Sequence, residues 1–390
     1  MILNNIKLFF SLAVLIIAFH IDVYATPEFS LWSGNKCSEC HNSHQGGGSR
    51  TEFGFQFAKD ASFFPAIDFP FLEDYEKNSI IDSTLYYGMD FRFQSTRSHK
   101  LKDAERKYYP MQASAYLTYH LFDGVYADAQ YNIGPKIFTG QQAYAFYLML
   151  KPFESLPYLK IGYFLPAIGL RDCDMTDLDR RAAVLDGSEN LIAPDFAEWG
   201  IEAGYSPAEW LDIEIGMFDA SSLSEVTILG DQLNLVTGAR PTFTSRMVFW
   251  LNNMFEELPQ TYLGGSNLVN DLFVINTAFM GFAPFDDWLF QFKFTHTNKV
   301  YSRVTHSYIA SLSYVYTPGL TFGIKYQSGV SDMLWDKKNG KYLLTANLNQ
   351  ASVNARWFIM PFIEFIPEYR YMKSTEFESF RWLFQLHLYI

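Results

Sequence analysis

The segment Trp288-Leu-Phe-Gln-Phe-Lys-Phe-Thr295 places an aromatic side chain at every second position. Successive side chains of a β-strand point to opposite faces, so these rings share one face, and from Gln291 onward the other face is polar. The segments from Gln112 to Leu121 and from Arg381 to Leu388 alternate in the same way. Segments of about ten residues with one apolar and one polar face are the signature of a transmembrane β-barrel.

The connections between these segments differ in length. Seven short ones carry Pro or Gly, as hairpin turns do: Asp123-Gly124, Lys151 to Pro157, Ser206 to Glu209, Leu258-Pro259, Ala283 to Asp286, Thr317 to Gly319 and Met360-Pro361. Longer polar stretches alternate with them: Ser95 to Pro110, Leu170 to Pro194, Ser221 to Arg240 and Ser331 to Lys341. Outer-membrane barrels place short turns on the periplasmic side and long loops outside. We therefore expect both termini to be periplasmic.

The number of strands follows from the turns. Seven hairpins, one strand that begins near Ile80 and one that ends at Tyr389 give about 16 strands, with the glycine-rich strand from Gln260 to Gly265 the weakest. A soluble sandwich is the alternative, but its solvent face would be aromatic and its strands would number about seven. We predict an all-β fold, a transmembrane antiparallel β-barrel at residues 79–390, wide enough for an aqueous lumen.

Composition excludes several classes of protein. The 390 residues have a mean hydropathy of -0.05, which is too low for a bundle of transmembrane helices. Aromatic residues make up 18% and charged residues 18%, the reverse of the bias of disordered chains. The net charge of -12 and pI near 5.1 argue against a nucleic-acid partner, because phosphate would be repelled.

Residues 1–25 have the pattern of a secretory signal. Lys7 supplies a positive charge, Leu8 to Phe19 form an apolar run, and Val23 to Ala25 offer small residues for cleavage before Thr26. An uncleaved membrane anchor is the alternative, but the run is shorter than the roughly 17–25 apolar residues needed to span a bilayer. We predict an exported protein with a cleaved signal peptide.

A short motif follows the proposed cleavage site. Cys37-Ser-Glu-Cys40-His41 has the C-x-x-C-H spacing of c-type haem attachment. Two thiols at this spacing can each add to a haem vinyl group, and the adjoining imidazole of His41 can bind the iron as proximal ligand. Haem c is attached outside the cytoplasm, which agrees with an export signal. We predict one covalently attached haem c in a cytochrome segment at residues 26–78.

Three other interpretations of the motif remain open. Cys37 and Cys40 could form a disulfide in an oxidising compartment. A zinc site could use both cysteines with His41 and His44, although such compact spacing is unusual. A redox C-x-x-C motif would belong in a thioredoxin-like βαβ pattern, and the sequence has none.

In this order of segments the chain resembles the fused monohaem cytochrome-porins of bacterial outer membranes, whose best-known members are iron oxidases. Pro27 and Phe29 match before the haem motif, and Phe53, Gly54 and Phe57 look like the family's Phe-Gly-x-x-Phe after it. The chain departs from the family's pattern in ending Tyr389-Ile390, without a terminal aromatic residue. The resemblance implies a cytochrome of the outer membrane that takes electrons from extracellular ferrous iron and passes them to a periplasmic cytochrome or other carrier.

Three function classes follow from these features. The protein could transfer electrons through its haem, as a ferrous iron oxidase would; it could be a porin with a regulatory or sensing haem plug; or it could sheath a separate multihaem cytochrome. The roughly 50 residues before the first strand are too few for an independent core, so we expect them to dock in the periplasmic mouth as a plug.

The sixth ligand of such a haem has two candidates. Alternation places His120 and His387 on the polar inner face near the periplasmic end, where either could bind the iron or act only as a pore-lining group. His44, three residues past His41, is expected to stay on the proximal side. Beyond Leu170, a loop could collect cations or be a solvated external loop with a lone thiol; it carries Asp172, Cys173, Asp174, Asp177 and Asp179.

Overall fold

The computed structural model describes residues 27–43, 45–60, 77–81, 84–98, 106–132, 144–153, 156–170, 197–219, 227–228, 231–232, 241–255, 257–270, 273–299, 303–332, 335–336, 341–342, 345–374 and 378–390. Sixteen antiparallel strands close into one barrel, because the first barrel strand pairs with the last through contacts such as Phe91 with Leu388. The prediction of about 16 strands is confirmed. None of the helices described has the length and apolar character needed to cross a membrane.

The elements are numbered in chain order. The helices are α1 (Pro27–Ser33), α2 (Cys37–Cys40), α3 (Glu52–Asp60) and α4 (Leu251–Met254). The barrel strands are β1 (Leu85–Ser98), β2 (Lys107–Phe122), β3 (Val125–Asn132), β4 (Tyr144–Leu150), β5 (Tyr158–Phe164), β6 (Glu198–Ala208), β7 (Leu211–Phe218), β8 (Thr242–Trp250), β9 (Thr261–Asn270), β10 (Phe273–Phe285), β11 (Trp288–Lys299), β12 (Arg303–Thr317), β13 (Leu320–Asp332), β14 (Thr345–Met360), β15 (Ile363–Ser374) and β16 (Glu378–Tyr389). Two-residue strands add small hairpins inside the connections, Thr227–Ile228 with Asp231–Gln232 and Trp335–Asp336 with Lys341–Tyr342.

All seven short connections predicted from Pro and Gly join neighbouring strands of the barrel. Gly124 and Gly319 have φ angles of +74° and +80°, which glycine adopts without steric cost. Phe362, in the turn between β14 and β15, has a φ of +65°, a strained value for a bulky residue. Its ring stacks on Phe55 of α3 at 5.2 Å, so the turn holds an aromatic group against the N-terminal segment.

Connections at the opposite end differ from the prediction. The expected alternation of long and short connections was wrong at three places. Only residues 271–272, 300–302 and 375–377 separate consecutive strands at these places. The stretch from Ser95 to Pro110 is not all loop, since β1 extends to Ser98 and β2 begins at Lys107. The first barrel strand begins at Leu85, and Ile80 lies in a two-residue strand paired with its start.

The two faces of the barrel wall follow the alternation. On β11, Trp288, Phe290 and Phe292 are 38–41% exposed on the outside, whereas the intervening Leu289 and Lys293 are buried on the inside. Large apolar residues are exposed all around the outer surface, among them Leu117, Ile161, Ile215, Met247, Leu263, Ile324, Tyr326, Val353 and Trp357. The wall is apolar outside and largely polar inside, as transmembrane barrels require.

Residues 27–43 and 45–60 lie inside the barrel at the end where the seven connections with Pro or Gly lie. Leu31 of α1 is 2% exposed and packs among inward-facing side chains of β8–β12: Val248, Trp250, Tyr262, Phe279, Ala283, Leu289 and Val315. Phe55 of α3 is fully buried in a second cluster, with Ala58, Phe358, Phe362 and Tyr389. We call residues 27–60 the plug, since they fill this part of the lumen and place most of their buried apolar side chains against the wall.

Polar contacts tie the plug to the wall between these clusters. Glu28 pairs with Arg356 at 2.8 Å and Lys36 with Asp212 at 3.1 Å. Ser49 donates a hydrogen bond of 3.1 Å to Asp128.

A buried carboxylate on β6 joins three parts of the chain. Gln45 of the plug donates to Glu202 at 3.2 Å, and Lys160 of β5 pairs with Glu202 at 3.1 Å. The backbone N–H of Ala167, in the connection after β5, donates to the same carboxylate at 3.0 Å. The first residues of that connection, around Ala167, therefore lie in the lumen, and the Glu202 side chain contacts both them and the plug.

Candidate cofactor site in the barrel mouth

The Cys-x-x-Cys-His motif forms one helical turn and its extension. The N–H of His41 donates to the carbonyl of Cys37 at 3.0 Å, so α2 spaces the two thiols by one turn. His41 then adopts an extended conformation and pairs with Arg50 as an isolated β-bridge. All three functional side chains line one cavity of the lumen. The structure therefore brings Cys37, Cys40 and His41 together on a common space.

Gly54 explains how α3 supports this turn. A Cβ atom at Gly54 would overlap the carbonyl oxygen of Cys40, so only glycine permits this contact between α3 and α2. Thr51, just before α3, donates from its hydroxyl to the carbonyl of Glu39 at 2.6 Å and accepts the N–H of Gly54 at 3.0 Å. The glycine of the Phe-Gly-x-x-Phe motif thus allows α3 to pack directly against α2, the helical turn that contains both cysteines.

Three consecutive glycines lie at the cavity beside Cys37 and His41. Gly46, Gly47 and Gly48 line the cavity with φ angles of +80°, +67° and +71°. A Cβ on Gly46 would lie 3.7 Å from the sulfur of Cys37 and 3.8 Å from Cδ2 of His41. The absence of side chains keeps space open beside the thiol and the imidazole. The sequence analysis missed these residues, and the run of three glycines is the signal that could have found them.

The two thiols are not bonded to one another. Cys37 and Cys40 are both free, so the described structure contains no disulfide between them. Burial raises the pKa of Cys37 and raises the pKa of Cys40 to about 12. Among the residues described, no three His, Cys, Asp or Glu side chains are arranged to hold a metal ion, and His44, the fourth ligand of the zinc interpretation, lies outside them.

The wall of the cavity combines apolar groups with paired charges. Ile309, Ile366 and Leu383 provide apolar surface. Three arginines of the wall each pair with a carboxylate that lines the same cavity: Arg92 with Asp90, Arg356 with Glu364 and Arg370 with Glu368. Two free thiols, an adjoining imidazole, a glycine-lined space and the apolar wall groups fit a large, mostly apolar ring. The site thus has the donor set that a covalently attached haem requires.

His387 lines the same cavity, but both of its ring nitrogens are engaged. Nδ1 lies 2.9 Å from Glu364, and Nε2 lies 2.8 Å from Asp90 and 3.2 Å from Arg92. An iron bond at either nitrogen would require breaking a buried contact with a carboxylate. The geometry therefore favours the pore-lining interpretation of this residue.

His120 faces inward near the turn end of β2, outside the set of cavity-lining residues. Its ring packs between Tyr86 and Tyr126, with centroid distances of 4.8 and 4.5 Å. The structure therefore does not bring His120 together with Cys37, Cys40 and His41.

Several predicted features fall outside the described residues. They are the signal peptide at residues 1–25, His44, and the loop with Asp172, Cys173, Asp174, Asp177 and Asp179. For these the sequence-based predictions stand as predictions.

Solved structures of outer-membrane proteins share this architecture. The outer membrane channel DcaP of Acinetobacter baumannii aligns with a TM-score of 0.53 and 11% identity over 78% of this chain and 97% of that chain. The fold is that of a porin. OprB of Pseudomonas putida aligns at 0.55 with 10% identity over 79% and 95%, and a loop-deletion mutant of OmpT of Vibrio cholerae at 0.52 with 9% identity over 79% and 99%. The sequence matches no family model and no curated protein.

Proposed function

We propose that the protein transfers electrons across a bacterial outer membrane through one c-type haem attached to the plug, with extracellular ferrous iron as donor. The observation that carries the proposal is the position of Cys37, Cys40 and His41 on one lumen cavity inside a porin barrel. The apolar exterior supports a lipid environment, and the barrel topology supports periplasmic termini.

Each residue of the site would have a separate role in binding the haem. Cys37 and Cys40 would hold the group by two thioether bonds, and His41 would bind its iron from one side. The guanidinium groups of Arg92 and Arg356 lie on the cavity wall, each beside a carboxylate, and their remaining N–H groups would donate to negatively charged substituents. The apolar residues of the wall would exclude water. Bound in this way, a haem supplies one-electron transfer through its iron.

The proposed reaction balances as a one-electron relay. One ferrous ion at the outer side loses one electron and becomes ferric, and one oxidised carrier in the periplasm gains that electron. The position of the plug at the turn end of the barrel favours a periplasmic cytochrome as the acceptor, because that end would face the periplasm.

A spectral experiment tests the donor. Purified haem-loaded protein in detergent is oxidised, and ferrous iron is added without oxygen at near-neutral pH. We expect the visible spectrum to change to that of the reduced haem. A small organic one-electron donor serves as a control. Reduction by the organic donor but not by iron would keep electron transfer and discard the iron oxidase.

A haem-bearing porin with a regulatory plug is the second candidate. The observation that favours it is Glu202, which accepts hydrogen bonds from Gln45 of the plug and from the backbone N–H of Ala167 after β5. Planar-bilayer conductance separates the two functions. If the protein is an electron relay with the plug in place, the parent should show little ion conductance, and Glu202→Gln should change that conductance little. If the parent conducts steadily and Glu202→Gln conducts more, the regulatory porin is favoured.

A further inference from the structure

We propose that Met111 is the distal axial ligand of the haem, an inference that rests on the proposed function. Met111 lies on β2, is 1% exposed, and lines the cavity with Cys37, Cys40 and His41. It is the one methionine among the cavity-lining residues that the structure describes. Its side chain is therefore buried at the same cavity as the attachment motif.

A β-bulge accounts for the inward direction of this side chain. Arg92 on β1 pairs with Gln112 and the next residue, Phe93, pairs with Pro110, so Met111 has no partner on β1. By strict alternation Met111 would share the outer face with Leu117 and Tyr119, which are 49% and 43% exposed. Bulges of this kind re-aim a side chain and are common beside functional sites. The local distortion gives the wall a thioether at a position that would otherwise face outward.

Both histidine candidates have a contact or position that opposes iron binding. His387 holds Glu364 and Asp90 with its two nitrogens, and His120 packs between two tyrosines outside the cavity lining. A methionine would bind iron without first giving up a hydrogen bond, because a thioether is a weak hydrogen-bond acceptor that can stay buried without a partner.

The chemistry of the ligand suits the proposed donor. A His–Met ligand pair raises the reduction potential of a haem, which favours electron acceptance. Ferrous iron is a weak one-electron donor, so a raised potential makes the transfer easier. The thioether would bind the iron through a sulfur lone pair, with no proton or electron exchanged in forming the bond.

Met111→Leu tests the proposal in the haem-loaded protein, and Met149→Leu is the matched control. Leucine conserves most of the volume of methionine, so either variant should fold. Met149 is also buried on the inner face, on β4, but it does not line the cavity. We expect Met111→Leu to keep covalent haem on a denaturing gel and to lose the low-spin spectrum and the near-infrared band of methionine-bound ferric haem. We also expect the reduced variant to bind carbon monoxide more readily.

Two further variants sharpen the result. Met111→His should restore a low-spin spectrum and lower the midpoint potential, because imidazole replaces the thioether. His387→Gln should keep the parent spectrum. An unchanged spectrum in Met111→Leu, or an equal change in Met149→Leu, would overturn the assignment and leave the proposed electron transfer standing. Parent protein with no covalent haem would overturn the proposed function and this inference together.

Discussion

The barrel wall and the plug obtain their structures in opposite ways. Each wall strand satisfies its backbone through its two neighbours and repeats one simple pattern, apolar outside and largely polar inside. The plug has three short helices, and its buried Leu31 and Phe55 both pack against wall residues. A segment of this size cannot bury enough surface alone. We therefore expect the wall to fold without the plug, whereas the plug depends on the wall.

The largest expected effect comes from the attachment motif. Replacing Cys37 or Cys40 with Ala would remove one of the two proposed thioether bonds, so haem-linked staining on a denaturing gel should fall strongly, and the double variant should show none. The barrel should still fold, as judged by heat-modifiable migration. Cys173→Ala should stain like the parent. Full staining of the double variant would show that Cys37 and Cys40 do not attach a haem, which would contradict the c-type assignment.

The next effect concerns the apolar docking of the plug. Phe55→Ala removes a fully buried ring that stacks on Phe362, and such changes cost about 3–5 kcal/mol. We expect proteases to cleave the plug quickly while the barrel stays resistant. Phe53→Ala on the same helix is the control, because Phe53 is 49% exposed. Equal protection in both variants would mean that the plug has a core of its own.

A smaller effect is expected at the contact between α3 and the cysteine turn. Gly54→Ala adds a methyl group against the carbonyl oxygen of Cys40, and overpacking of this kind costs about 1–3 kcal/mol. Haem incorporation should fall several-fold with little change in barrel stability. Gln56→Ala, on the same helix, should incorporate haem normally. Normal incorporation in Gly54→Ala would show that α3 does not position the motif.

The smallest effect belongs to the ion pair at the mouth. Lys36→Met removes the 3.1 Å contact with Asp212, whose side chain is partly exposed. Exposed pairs are worth about 0–1 kcal/mol, so plug protection in limited proteolysis should stay close to that of the parent. Release of the plug in Lys36→Met would show that the ion pair, rather than the apolar clusters, holds the plug in the barrel.

The same contrast explains what the sequence could predict. The wall was predictable because alternation and turn residues are local: β11 has the predicted faces, and all seven turns formed. The short connections at the other end were missed because residues 271–272, 300–302 and 375–377 contain no Pro or Gly to mark the end of a strand. Met111 was missed because a bulge shifts the alternation by one residue. Pro110 beside it was the available signal, since proline inside a sheet occurs at edges or bulges.

The site was predictable only in its covalent motif. The spacing of Cys37, Cys40 and His41 predicts an attachment sequence, but the partners of Leu31 and Phe55 on the barrel strands lie more than 200 residues away in the chain. Likewise, nothing local to His387 indicates that Glu364 and Asp90 occupy both of its nitrogens. Such contacts depend on closure of the barrel and appear only in three dimensions.

The most direct test of the account is the mass of the peptide that contains Cys37 to His41, from protein purified out of outer membranes of a host that attaches haem c. The account predicts one haem on this peptide, joined to both cysteines, and protection of the peptide from protease until the barrel is unfolded. An unmodified peptide with free thiols, or with a disulfide between Cys37 and Cys40, would contradict it.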